Sequence, residues 1–84
     1  MLEQGFWAEA IVGKERLRLF AEQTPLGVQA SVYNVNAKTW IAPSESVDDI
    51  HQGKDRAEAY AATYLRRVAN AELPVLTWKE SRSI

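Results

Sequence analysis

The chain has 84 residues, 46% of them apolar, with ten basic against eleven acidic side chains and a net charge of −1. That is the size of one small domain, residues 1–84, without the global field that draws a protein to nucleic acid or anionic lipid. The absence of cysteine and the single histidine exclude disulfides, thiol nucleophiles, thiolate zinc sites and multi-histidine metal centres.

In chain order, Met1 to Gly5 has no basic stretch followed by an apolar run, so no signal peptide is expected. Ala10-Ile11-Val12 is far short of the ~20 apolar residues of a membrane span. The expected setting is cytoplasmic, with no membrane partner. Phe6 to Val12 reads as a first strand, and Gly13-Lys14 as a hairpin turn, because glycine tolerates positive φ. Glu15 to Glu22 alternates as a second strand, with Leu17, Leu19 and Ala21 on one side and Arg16, Arg18 and Phe20 on the other. Thr24-Pro25-Leu26-Gly27 is a turn by composition. A third strand runs from Val28 to Val35, and a short fourth from Lys38 to Ala42, stopped by Pro43.

Ala57, Tyr60, Ala61, Tyr64, Leu65 and Val68 then recur at helical steps and mark a main helix over about 53 to 71. Ser46-Val47-Asp48-Asp49 has the character of an N-cap, and Gly53 predicts a break before the main helix. Val75 to Trp78 is the predicted last strand, and 79–84 a flexible tail. The order is β-β-β-β-α-β, an α+β domain with an antiparallel sheet of four to five strands and one helix packed on one face.

The alternation also sorts the faces. Phe6, Ala8, Ala10, Val12, Leu17, Leu19, Val28, Ala30 and Val32 are expected under the helix. Of the 39 apolar residues 12 are alanine, so this inner face and the helix stripe are both small enough for close approach. The opposite face carries Trp7, Glu9, Ile11, Arg16, Arg18, Phe20, Gln29, Ser31 and Tyr33, with the side taken by Trp40 and Trp78 left open.

Trp7, Ile11, Arg16, Arg18, Phe20 and Tyr33 form the candidate interaction face. Rings interleaved with arginines suit base stacking and phosphate contact. An exposed apolar patch on a small domain equally marks a protein contact, and the near-zero net charge favours that reading. The expected function is a non-enzymatic protein-interaction module, acting as a homodimer or as a partner-binding subunit. Single-stranded nucleic-acid binding on the same face is the alternative.

Elsewhere the chemistry is thin. Glu45, Asp48, Asp49, Asp55 and Glu58 near His51 match no metal-ligand spacing and suit a helix N-terminus better. Lys54, Arg56, Arg66 and Arg67 alternate with acids, the pattern of a solvated helix face. The serines sit in no nucleophile elbow, and the four glycines are scattered, so no phosphate loop is expected. No enzyme activity, cofactor or metal is expected. The strand-strand-strand-strand-helix order is similar to small single-stranded-nucleic-acid-binding domains of the transcriptional-coactivator and Whirly type. A sheet backed by one helix also resembles the HicB antitoxin class. Both likenesses are of architecture and carry no residue roles.

Overall fold

A computed structural model describes residues 4–81. Five strands, β1 (Gln4–Val12), β2 (Glu15–Thr24), β3 (Gly27–Asn34), β4 (Thr39–Val47) and β5 (Lys79–Ser81), form one antiparallel sheet in the order β4-β3-β2-β1-β5. One helix, α1 (Ile50–Ala69), packs across β2 and β3. The domain is α+β with four strands preceding the helix, as the sequence pattern predicts.

The turns set the register. Gly13, at φ 59°, occupies the first position of a two-residue turn that pairs Val12 with Glu15, the place where a tight hairpin demands a left-handed backbone. From there Trp7 pairs with Phe20 and Glu9 with Arg18. At the next turn Thr24 Oγ1 accepts from Leu26 N and donates to Gly27 O. The four-residue turn after β3 then brings Trp40 opposite Tyr33.

The core is small and alanine-rich. Ala8, Ala10, Leu17, Leu19, Ala21, Val28, Ala30 and Val32 of the sheet are buried. Ala10, Leu17, Leu19, Ala30 and Val32 pack with Ala57, Ala61 and Leu65 of α1, and Ala21 and Val28 lie beside Gly53. The expected inner face is thus the face that α1 covers, with Phe6 and Val12 half-buried at its margins.

Four expectations need correction. Strand β4 does not stop at Pro43 but runs on to Val47. It is an edge strand, where a missing N–H is tolerated, and its pairing with β3 shifts register between Ala30 and Tyr33. Gly53 does not break the helix. It lies in the first turns of α1, where a Cβ would stand 2.9 Å from Val28 Cγ1 and 3.1 Å from Ala21 Cβ, so glycine here permits close approach to the sheet. Residues 75–78 are not a strand: 71–78 form an irregular connection whose Leu73, Leu76 and Trp78 pack on the core. The last strand instead falls at Lys79–Ser81, inside the segment expected as a loose tail, because there the backbone meets the free edge of β1. Residues 82–84 of that tail lie outside the described residues.

The helix ends follow their sequence. Asp49 is the N-cap, accepting from Gln52 N at 2.8 Å, which gives the predicted capping segment its place. Asn70 closes the helix in a left-handed conformation, with its N–H and that of Ala71 reaching Leu65 O. Arg66 and Arg67 lie in the last turn, where cations complement the dipole. Among the described residues no helix is long and apolar enough to cross a membrane.

Candidate interaction surface

The pleat that sends Leu17 and Leu19 toward α1 sends Arg16, Arg18 and Phe20 the other way. Because β1, β2 and β3 are in register, Trp7, Ile11, Arg16, Arg18, Phe20 and Tyr33 all lie on the face opposite α1. They are ordered in rows across the strands. One row reads Lys79, Trp7, Phe20, Ser31 from β5 to β3, and the next reads Glu9, Arg18, Tyr33, Trp40 from β1 to β4.

Three of the rings, Phe20, Tyr33 and Trp40, cluster toward β4, while Trp7 stands on β1. Trp40 meets Tyr33 edge-on with centroids 4.9 Å apart and lies 5.9 Å from Phe20, within the range of favourable ring pairs. Trp40 is nevertheless 57% exposed, and Ile11 is 62% exposed at the other corner. Ser31, only 5% exposed, is the small residue between the rings.

The charges cluster toward β1. Glu9 takes Arg16 Nε at 2.9 Å and Arg18 Nε at 3.3 Å. The hydrogen bond from Arg16 holds the Glu9 carboxyl below the usual carboxylate range, helped by Arg18 and opposed by partial burial. Arg18 and Lys79 also stand over the Trp7 ring, at 5.7 and 5.1 Å from its centroid. The two arginines of the predicted face therefore already answer a carboxylate of their own sheet.

Three features of this surface lie beyond what alternation alone supplies. Glu9 was assigned to the face without a role, although counting back from the two-residue turn pairs it with Arg18. The side that Trp40 takes follows from the four-residue turn at 35–38, which sets Trp40 opposite Tyr33. Lys79 was missed with the rest of β5. Trp78 falls on the other side, its Nε1 donating to Glu58 at 2.8 Å and its ring near Lys54, which stands 4.0 Å above Phe6. The connection from 71 to 78 therefore packs on the helix side, and among the described residues no element lies across the outer face.

The acidic residues near His51 are engaged in separate contacts. Asp49 caps the helix, Glu58 holds Trp78, and Glu45 accepts from the Tyr60 hydroxyl and pairs with Arg56 at 3.7 Å. The Glu45 hydrogen bond pushes the Tyr60 phenol up. His51 is exposed beside Asp55, 3.7 Å away. Among the described residues no three His, Cys, Asp or Glu side chains come together as a metal ligand set. Open depressions on the solvent side of α1, beside Arg56 and beside Arg66, place no nucleophile next to a base. Comparison with family models, with curated proteins and with solved structures gives no match.

Proposed function

We propose that this domain is a cytoplasmic, non-enzymatic protein-interaction module that docks a protein surface on the outer face of its sheet. One observation carries the reading: a ring cluster of Phe20, Tyr33 and Trp40 stands on a face that no described element covers, beside charges already paired with each other. Burying a large apolar side chain fully contributes roughly 1.5–3 kcal/mol, whereas an exposed ion pair contributes ~0–1 kcal/mol. A protein surface rewards the rings. A phosphate backbone would have to compete with Glu9 for Arg16 and Arg18.

Sedimentation across a concentration series, with and without a mixed-sequence single-stranded oligonucleotide, tests the reading. The expected result is association without nucleic acid, weakened by Tyr33→Glu while the monomer's circular dichroism is kept. Salt-sensitive binding of the oligonucleotide, lost with Arg18→Glu, would replace it with the nucleic-acid reading.

A further inference from the structure

Resting on that reading, we infer that the partner is a second copy of this chain, packed face to face about a two-fold axis that runs parallel to the strands between β2 and β3. The face is divided laterally. Its β1–β2 side bears the charged Lys79, Glu9, Arg16 and Arg18 together with Trp7, Ile11 and Phe20, and its β3–β4 side bears Ser31, Tyr33 and Trp40. A half-turn about such an axis lays β2 of one copy over β3 of the other and β1 over β4, and leaves each row on itself.

The residues that then meet are complementary. In the row of Arg18, Tyr33 and Trp40, the Arg18 guanidinium lies over the Tyr33 ring of the other copy. Arg18 bonds Glu9 through Nε and stands over the Trp7 ring of its own chain, so it is the side of its guanidinium turned away from Trp7 that would stack. The carboxylate of Glu9 comes opposite Trp40, whose indole N–H is a donor. In the next row the bulky Phe20 meets the small Ser31, and at the strand ends Glu22 meets Gln29, the residue paired with it across β2 and β3. By symmetry every one of these contacts occurs twice.

The size is sufficient. The four strands that overlap about this axis, about 4.8 Å apart and roughly nine residues long at ~3.3 Å each, span on the order of 570 Å² in projection. The corrugated accessible area is larger, near the ~800 Å² that each partner brings to a standard interface. Aligned sheets twist by about 30°, which displaces the outer strands, so the pairs beside the axis are the diagnostic ones.

Mixing two singly changed chains tests the arrangement in sedimentation equilibrium. Arg18→Glu alone and Tyr33→Arg alone should each weaken association about tenfold or more, the second by placing two cations against each other. The equimolar mixture should recover association, since a carboxylate at 18 then meets a guanidinium at 33 across the seam. Glu22→Lys mixed with Gln29→Glu repeats the test at the strand ends if either of the first chains fails to fold. A wild type that stays monomeric up to about 1 mM overturns the dimer. So does a dimer indifferent to the single changes, or single losses that mixing does not repair. The broader docking reading falls on a different result, oligonucleotide capture by this face.

Discussion

The two faces of one sheet are built from alternate residues of the same strands, yet they differ in kind. Under α1 the residues are small and closed: six of the eleven buried core residues are alanine. On the other side they are large and open, with Trp7, Phe20, Tyr33 and Trp40 set among arginines and glutamates. Small side chains appear where the covering element belongs to the chain and lies close. Large ones appear where no described element of the chain lies across the sheet. Among the described residues the largest fully buried side chains are only Leu17, Leu19, Leu65, Val28 and Val32, so the rings of the outer face are a substantial part of the large apolar side chains of this small domain.

The contrast can be broken on the covered side first. Ala61 is fully buried against the sheet and Ala62 is half-buried one step around α1. Ala61→Leu should overpack that contact and cost ~1–3 kcal/mol, while Ala62→Leu should stay within about 0.5 kcal/mol. Equal denaturant midpoints for the two variants would mean that the close face has been assigned to the wrong stripe.

Gly53→Ala is the next largest. Alanine favours a helix interior by about 1 kcal/mol over glycine. The added methyl would however meet Val28 and Ala21 at sub-contact distance, and overpacking costs ~1–3 kcal/mol. A net loss of about 1 kcal/mol is expected in urea unfolding. A gain would show that α1 can lift from the sheet without penalty.

The smallest effect belongs to the open face and sharpens the contrast by pH. The Glu9 carboxyl titrates below its unfolded value because Arg16 and Arg18 hold its charged form. Its contribution to stability is therefore complete above the ordinary carboxylate range and is lost as pH falls through the lowered native value. For a surface pair this amounts to below ~1 kcal/mol. Glu9→Gln should accordingly flatten the acid limb of the stability–pH curve and become less damaging at low pH than at neutrality. Thermal melts at a series of pH values measure it.

How far the sequence could be read depends on how locally each feature is specified. Period-two alternation and glycine at the first hairpin placed Leu17, Leu19, Val28, Ala30 and Val32 on the covered side, and a period near 3.6 found Ala57, Ala61 and Leu65. Both signals reside in consecutive residues. The errors arose where tertiary contact overrides local preference. Pro43 reads as a stop, but its strand lies at the sheet edge, where a missing N–H is tolerated. Gly53 reads as a break, but its role is set by Val28 and Ala21, 25 and 32 residues earlier. Leu76 and Trp78 read as strand, yet they pack as side chains from an irregular segment, while the ladder falls one step later on the polar Lys79-Glu80-Ser81. On the outer face, alternation gathered the rings and arginines. The Glu9 pairing and the Trp40 cluster needed the register, which only the turn lengths fix.

Asn34 has a consequence for how the domain opens. Its nearly buried amide donates to the Tyr64 hydroxyl at 2.9 Å and to Glu15 at 3.3 Å, and its carbonyl accepts from Ala37 N at 3.0 Å. One side chain thus ties the C-terminal half of α1, the start of β2 and the turn after β3. None of the three can fray alone without stranding a buried amide. In native-state hydrogen exchange the Ala37 amide, though it lies in an exposed turn, should therefore exchange together with the amides around Tyr64, as one cooperative unit. Asn34→Ala should uncouple the two.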